Sequence, residues 1–250
     1  MIGRIAAAAC ICAALATATP RLATGEEGIT RAQADSLLIE LKQIRQLLEK
    51  NLQQQARQVA PAPAPERTVT LPLGKVFKLG RDDAPVTLVE FADYECPYCR
   101  QFETTVFEQL RTNWIDTGKV RFISRDLPLD FHPHSAAAAN AARCAGEQGK
   151  YWDLRRVMII NDSQLDSLSL VVYARDLGLD TTRFQACATS HRFAAEIHKD
   201  QMDAQAAGIT GTPTFVLGRT VKQGVDGTVI VGTMPYADLD ARIRRLLAKK

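Results

Sequence analysis

The chain has 250 residues, of which 46% are hydrophobic and 24% are charged, and its formal net charge is +3. This length suits one large domain, or one domain with appendages. The small net charge and the lack of clustered Lys or Arg residues argue against a nucleic-acid-binding surface. Function is therefore expected to lie in local chemistry.

The first 18 residues predict a secretory signal peptide. Arg4 precedes an apolar, alanine-rich run at 5–18, which ends in small residues before Pro20. The run is shorter than the about 20 apolar residues needed to span a bilayer, although an uncleaved anchor is the alternative. A cleaved signal peptide implies export, and we expect the mature protein in the periplasm.

The cysteine content changes once the signal peptide is removed. Cys10 and Cys12 lie inside the apolar run and would be discarded with it. Four of the six cysteines then remain in the mature chain: Cys96, Cys99, Cys144 and Cys187. An even number of cysteines in an exported protein indicates disulfide chemistry.

Residues 26–58 predict an amphipathic helix that mediates oligomerisation, and Thr30 is expected to cap its start. Apolar side chains recur along one face at alternating spacings of three and four: Ala34, Leu37, Leu41, Ile44 and Leu48. Residues 59–68 contain the alternating run Pro-Ala-Pro-Ala-Pro and predict a stiff, extended linker. Because such a linker holds the helix away from the next domain, we expect a homo-oligomer through residues 30–55. Docking of the helix on its own chain is the alternative.

Residues 69–250 predict one α/β domain. Short β-branched runs predict four strands, at 86–91, 120–124, 214–217 and 229–231. A glycine-containing turn at Gly224–Gly227 is expected between the last two strands. Helical periodicity predicts a helix at 97–112, a helical insert at about 134–207 and a final helix at 236–247. Without the insert, this order is the β-α-β…β-β-α arrangement of the thioredoxin fold.

The Cys96-Pro97-Tyr98-Cys99 motif lies between a predicted buried strand and a predicted helix. A Cys-x-x-Cys motif is either a redox pair or half of a metal site. A four-cysteine zinc site needs a second close pair, and Cys144 and Cys187 are too far apart in sequence to form one. Pro97 suits a first helical turn, so Cys96 would lie at a helix N-terminus, where backbone N–H groups stabilise a thiolate. The context favours redox chemistry, with no cofactor and no bound metal.

The two thiols are expected to have different roles. Cys96, at the helix N-terminus and more exposed, would be the nucleophile, and the shielded Cys99 would be the resolving thiol. Pro97 and Tyr98 add no cationic side chain between them. We therefore expect a reduction potential between the thioredoxin and strong-oxidase values of about −270 and −120 mV.

Three separated segments resemble the DsbA-like branch of the thioredoxin superfamily. They are Phe-Ala-Asp-Tyr-Glu-Cys-Pro-Tyr-Cys at 91–99, Arg-Cys-Ala-Gly-Glu-Gln-Gly-Lys-Tyr-Trp at 143–152 and Gly-Ile-Thr-Gly-Thr-Pro-Thr-Phe at 208–215. The resemblance covers roughly residues 70–248. It implies a thioredoxin fold with an inserted helical domain, here preceded by the N-terminal amphipathic helix. It also implies oxidation or isomerisation of disulfides in exported proteins.

The resemblance also implies roles for three further residues. Pro213 matches the family's cis-proline opposite the cysteine pair, and Thr212 would bind substrate main chain. A trans proline at the start of a strand is the alternative for Pro213. Glu90 matches the family's buried acid, which would shuttle the proton of Cys99. A solvated glutamate at the strand end is the alternative for Glu90.

Cys144 and Cys187 both lie in the predicted helical insert. Some members of the resembling family carry a second, structural disulfide in this region, so the resemblance implies a bond between these two cysteines. The alternative is a pair of buried free thiols.

His132 and His134 flank Pro133 before the alanine-rich helix of the insert. Paired histidines near a thiol pair suggest copper binding. The interpretation we favour is that His134 or Ser135 caps the helix.

Three functions are compatible with the sequence. The first is a dithiol oxidase that donates its Cys96–Cys99 disulfide to exported proteins. The second is an oligomeric isomerase or reductase that a membrane redox partner keeps reduced. The third, of another class, is a non-catalytic copper- or zinc-binding module.

Overall fold

The computed structural model describes residues 30–59, 67–74 and 76–248. The predicted signal peptide and most of the predicted linker lie outside the described residues. The chain divides into two compact units, at 1–62 and 63–250, which are described separately below.

The described part of the first unit is helix α1 (Arg31–Val59). Thr30 caps this helix as predicted: the Gln33 N–H donates to Thr30 Oγ1 at 3.3 Å, and the Thr30 N–H donates to Gln33 Oε1 at 2.9 Å. The large apolar side chains of the predicted seam are about half exposed, from 49% at Leu37 to 60% at Leu41. Helix α1 thus presents a continuous apolar face.

The second unit is built on a six-stranded mixed sheet. Its strands are β1 (Thr68–Pro72), β2 (Phe77–Leu79), β3 (Val86–Ala92), β4 (Val120–Asp126), β5 (Thr214–Val221) and β6 (Gly224–Val231). Their spatial order is β1-β6-β5-β3-β4-β2, in which β3 and β4 pair in parallel and the other neighbours are antiparallel. All seven residues of β3 are buried, which explains why its sequence is a continuous run without polar alternation.

Helices cover the sheet and form the insert. They are α2 (Pro97–Thr105), α3 (Phe107–Leu110), α4 (Ser135–Gly146), α5 (Tyr151–Ile160), α6 (Ser167–Asp176), α7 (Thr181–Thr189), α8 (Ala194–Ala206) and α9 (Tyr236–Ala248). Helices α4 to α8 fall within the predicted insert at 134–207. With the insert set aside, β3, α2, β4, β5, β6 and α9 follow one another in the predicted β-α-β…β-β-α order.

The predicted helix at 97–112 is interrupted at Val106. The hydroxyl groups of Thr104 and Thr105 donate to the carbonyl groups of Arg100 and Gln101, at 2.9 and 2.7 Å. Such bonds to the preceding turn bend a helix, and Val106 leaves helical geometry at φ −121°. The chain continues as α3 and then as a π-helical turn at Arg111–Ile115.

The predicted turn at Gly224–Gly227 is wrong, because both glycines lie inside β6 and the chain reverses at residues 222–223. These glycines allow close approach of neighbouring backbones. A Cβ atom at Gly224 would lie 2.2 Å from the carbonyl oxygen of Leu71, and one at Gly227 would lie 2.6 Å from that of Leu217. Glycine here indicates packing within the sheet.

Strands β1 and β2 were not predicted from the sequence, and Thr68 was assigned to the end of the linker. Thr68 instead begins β1 and pairs with Thr228 of β6. Both strands are short and lie at the two edges of the sheet, and in β1 Leu71 is the single buried residue. So little apolar alternation gives a weak sequence signal.

Within the insert, Cys144 of α4 and Cys187 of α7 form a disulfide, the pairing that the family resemblance implies. Both residues are buried in an apolar cluster that also contains Leu154, Met158 and Phe184. The bond closes a sequence separation of 43 residues. It therefore restricts the unfolded chain over most of the insert.

Replacing both cysteines of this bond by alanine should destabilise the protein. Closure of a loop of this length corresponds to about 4 kcal/mol in the chain-entropy model. The free energy of unfolding should be measured with denaturant for Cys144→Ala/Cys187→Ala and for its parent, each in a Cys96→Ala/Cys99→Ala background so that no other bond contributes. A difference below about 1 kcal/mol would contradict a stabilising role.

Candidate active site

The cysteine motif joins the end of β3 to the start of α2. Cys96 is the N-cap residue of α2, with extended backbone angles of φ −77° and ψ 118°, and Pro97 occupies the first helical turn. Proline tolerates this place because its missing N–H would have no partner within the helix. Cys96 therefore lies where the sequence predicted, at the mouth of the helix, and Cys99 lies one turn further in.

Both thiols are free, and both are almost fully covered. Cys96 is 4% exposed and Cys99 is 1% exposed, so the expected difference in accessibility is small. The loop before β5, in which the Thr212–Pro213 peptide bond is cis, contacts Cys96. The Cys96 thiol donates a hydrogen bond to the carbonyl oxygen of Thr212 at 3.3 Å. Thr212 and Pro213 thus lie against the cysteine pair.

The two thiols differ in acidity rather than in exposure. A hydrogen bond from the Cys99 thiol is the largest cause that lowers the pKa of Cys96 to about 6, whereas burial raises it. The Thr212 side chain, and not its carbonyl group, lowers this pKa further, as do the backbone groups of Cys99 and Tyr98. Burial raises the pKa of Cys99 well above its ordinary value, and the hydrogen bond to Cys96 and the charge of Glu90 raise it further. Near neutral pH, Cys96 is therefore a thiolate and Cys99 a thiol.

Glu90 lies on β3 directly before this motif and is fully buried. Alternation along the strand places it on the same face as Val86 and Leu88, which pack against α2. Burial raises the pKa of Glu90 to about 7, the neighbouring Arg155 counteracts the rise, and the negative charges of Glu103 and Cys96 add to it. A carboxyl group that titrates near neutrality can both accept and release a proton at working pH.

Arg155 and Glu103 complete a buried cluster that was not predicted from the sequence. Arg155 Nη2 donates to Glu90 Oε2 at 2.5 Å, and Arg155 Nη1 donates to Glu103 Oε2 at 2.8 Å. The sequence could have indicated Glu103, since it follows Cys99 by four residues and must share its helix face. The sequence could not have indicated Arg155, because nothing in it distinguishes this residue from the exposed Arg156 beside it.

Asp93 and Glu95, also not predicted, fix the chain that enters the motif. Asp93 is fully buried; its Oδ1 accepts from the Glu95 N–H and its Oδ2 from the Leu129 N–H, both at 2.8 Å. His132 Nδ1 lies 2.9 Å from the same Oδ2 atom. The loop between β4 and α4 is therefore tied to the redox motif through one carboxylate.

The predicted side-chain cap at His134 or Ser135 is wrong. His134 is the N-cap residue of α4, but its side chain makes no capping bond. Its backbone N–H instead donates to Glu95 Oε2 at 2.7 Å. The acidic side chain of Glu95, the residue before the redox motif, therefore stabilises this helix start, where negative charge is favourable.

Among residues 30–59, 67–74 and 76–248, no group of three His, Cys, Asp or Glu side chains is arranged to hold a metal ion. Within the same ranges, no helix is long and apolar enough to cross a membrane.

Comparison with known proteins identifies the class. A family model described as thioredoxin matches residues 74–229. The structure is similar to alpha-DsbA1 from Wolbachia pipientis, with a TM-score of 0.63 and 25% identity over 72% of this chain and 94% of that one. It is also similar to a thioredoxin-like oxidoreductase from Silicibacter pomeroyi DSS-3, with a TM-score of 0.56 and 28% identity over 70% and 94% of the two chains.

The chain therefore belongs to the thioredoxin family and is a DsbA-like member of it, with the fold of a thiol–disulfide oxidoreductase. The predicted fold class, a thioredoxin fold with an inserted helical domain, is confirmed. A curated relative, Na(+)/H(+) antiporter NhaA 3 of Salinispora tropica, is 42% identical over 137 residues, which are 54% of this chain. The matched region spans 20% of that relative's length.

The hydrogen bond from Cys99 should be needed for the acidity of Cys96. In the reduced protein, the ultraviolet absorbance of the Cys96 thiolate should titrate near pH 6. Cys99→Ala removes the donor and should move this titration to higher pH. Cys99→Ser keeps an O–H donor at the same place and should stay closer to the wild type. Equal titration of the two variants would contradict this cause of the lowered pKa.

Proposed function

We propose that this protein exchanges its Cys96–Cys99 disulfide with the cysteines of exported proteins, in the direction of dithiol oxidation. The observation that carries the proposal is the lowered pKa of Cys96 at the mouth of α2, opposite Thr212 and Pro213. A stabilised thiolate favours the reduced form of the pair, so the disulfide is the more readily reduced and the stronger oxidant. A pKa of about 6 lies between those of thioredoxin and of the strong oxidases, about 7 and 3.5.

Oxidation would proceed in two exchanges. A substrate thiolate attacks Cys96 Sγ, the bond between the two cysteines breaks, and Cys99 leaves as a thiolate that takes a proton from Glu90. A second substrate thiolate then attacks the substrate sulfur of the mixed disulfide and releases Cys96 as a thiolate. Two substrate thiols become one disulfide, and the two electrons reside on Cys96 and Cys99.

The proposed roles of the surrounding residues follow from their positions. Thr212, next to the cis bond and in contact with Cys96, is proposed to bind the substrate main chain beside Pro213. Glu90 is proposed to exchange a proton with Cys99, since the charge of Glu90 raises the pKa of that thiol. Pro97 and Tyr98 form the exposed turn between the thiols, and Tyr98 is 61% exposed.

The second candidate is an isomerase or reductase that a membrane redox partner keeps reduced. The exposed apolar face of α1 favours it, because association of α1 helices would bring several active sites together. Linked sites act at a high effective concentration on one misfolded substrate. The homo-oligomer is proposed to form through residues 30–55.

The proposed compartment is the periplasm, reached through the predicted signal peptide at 1–18. The structural disulfide Cys144–Cys187 supports an oxidising environment, since such bonds are rare in reducing compartments. A non-catalytic copper- or zinc-binding module remains the proposal of another class. The antiport activity in the relative's name is not extended to this chain, because the match covers a fifth of that relative.

Refolding of ribonuclease distinguishes these functions. The wild type should oxidise reduced ribonuclease in buffer without glutathione, Cys96→Ala should lose all catalysis, and Cys99→Ala should accumulate mixed disulfides with substrate. Faster rescue of scrambled ribonuclease than oxidation of the reduced form would favour the isomerase. Activity in neither assay, together with tight copper or zinc binding, would overturn the enzyme proposal.

The oligomer can be tested on the two faces of α1. Leu41→Lys/Ile44→Lys places charge in the apolar seam and should reduce the mass in solution, measured by light scattering. Gln43→Lys/Gln46→Lys adds the same charge outside the seam and should leave the mass unchanged. Deletion of residues 26–65 should lower the number of chains in the particle and leave ribonuclease oxidation intact. An unchanged number of chains in the seam variant and in the deletion variant would exclude this role of α1.

A further inference from the structure

A cation from the helical insert is buried in the core, where it bonds Glu90. Arg155 belongs to α5, yet its side chain is 1% exposed and contacts the thioredoxin core. It bonds Glu90 of β3 and Glu103 of α2, and its Nε atom donates to Ser124 Oγ of β4 at 3.1 Å. One guanidinium group therefore joins three elements of the core to the insert.

Aromatic rings surround the same guanidinium group. Its central carbon lies 5.9 Å from the ring centre of Phe107, 5.8 Å from that of Phe122 and 5.5 Å from that of Trp152. Aromatic rings interact favourably with a planar cation at such distances. A lysine would supply one point charge and could not reproduce the planar contacts or the fixed arrangement of donors that the guanidinium group presents to the two carboxylates.

The charges of this cluster do not balance when both carboxyl groups are ionised. One positive charge faces two negative charges, and Glu90 Oε1 and Glu103 Oε1 are buried without a hydrogen-bond partner in the described part of the chain. Burial of an excess negative charge is costly, so the cluster favours binding of one proton. The other titratable groups that act on this cluster are Cys96, Cys99, Tyr94, Tyr151 and Asp126.

From this geometry we infer that Arg155 is a positioning residue for proton transfer: its hydrogen bond to Oε2 orients the Glu90 carboxylate, and its charge favours the ionised form of Glu90 that accepts the proton of Cys99. The inference rests on the proposed thiol–disulfide exchange. It assigns to the insert a part in the chemistry, because the cation that controls the core acid belongs to α5. The pKa of Glu90, about 7, already includes the opposing effect of Arg155.

The relevant step is the resolution of a mixed disulfide between Cys96 and glutathione. The Cys99 sulfur attacks Cys96 Sγ and forms the intramolecular disulfide, while its proton passes to the Glu90 carboxylate. The bond between Cys96 and glutathione breaks, and glutathione leaves as a thiolate. Since an ionised Glu90 is needed, the rate should rise with pH through the pKa of Glu90.

The test measures glutathione release from the preformed mixed disulfide as a function of pH. Arg155→Met removes the cation, so the pKa of Glu90 should rise and the pH profile should move upward. A profile displaced upward by one pH unit corresponds to a rate about tenfold lower on its rising limb. Arg155→Lys restores the charge without the two-carboxylate geometry, and its profile should lie between the other two. If Arg155→Met does not fold, the same comparison is made between Arg155→Lys and the wild type.

A double-variant comparison separates positioning from general structural damage. In a Glu90→Gln background the rate should lose its dependence on this group, and adding Arg155→Met or Arg155→Lys should not displace the profile further. A purely structural role would lower the rate by one factor at every pH, with or without Glu90. Infrared difference spectra against Glu90→Gln should show that protonation of Glu90 moves to higher pH in the same way.

The outcomes distinguish the inference from the proposed function. If the wild type releases no glutathione at any pH, the proposed thiol exchange fails. If the wild type is active and the profiles of Arg155→Met and Arg155→Lys coincide with that of the wild type, the inference alone is overturned.

Discussion

The interaction between Arg155 and the carboxyl groups of Glu90 and Glu103 constrains the rest of the structure, because three charge-bearing groups lie there out of water. Burial of such groups costs several kcal/mol for each ion and is tolerated only with close partners and good hydrogen bonds. The insert must therefore be held at a fixed distance from the core. A buried ion pair of this kind is weak evidence of stability, but it specifies one arrangement of the two parts.

A second buried network holds the insert in that place. Arg143 of α4 bonds Asp126 of β4 at 2.7 Å and Asp200 of α8 at 2.5 Å, and Arg125 of β4 lies 2.5 Å from the same Asp200 carboxylate. Helix α8 leads directly into the loop that carries Thr212–Pro213. Both the buried acid Glu90 and the loop that contacts Cys96 are thus connected to contacts between the insert and the end of β4.

Features encoded in neighbouring residues could be predicted from the sequence. The buried run of β3 and the N-cap position of Cys96 follow from local patterns, whereas the burial of Glu90 was expected from the family resemblance. The contacts of Arg155 could not be predicted, since it lies 65 residues from Glu90 and 52 from Glu103 in the chain. The glycines of β6 were misinterpreted because close backbone approach and turn formation both require a missing side chain, and local sequence does not separate these causes. The helix break at Val106 depends on which carbonyl groups accept hydrogen bonds from the hydroxyl groups of Thr104 and Thr105. The sequence pattern alone does not reveal these partners.

The way in which the redox motif is anchored has a consequence for how the protein can change. Asp93 and Glu95 fasten the chain before Cys96, and Cys99 is packed into the core, whereas Pro97 and Tyr98 between them face solvent. The Tyr98 side chain contributes little to the packing of the fold. Within these four residues, the part that anchors the motif is therefore separate from the part that faces a partner. Substitution of Pro97 or Tyr98 can therefore change the reduction potential of the cysteine pair without changing the fold. The same fold can thereby serve as an electron donor or as an electron acceptor.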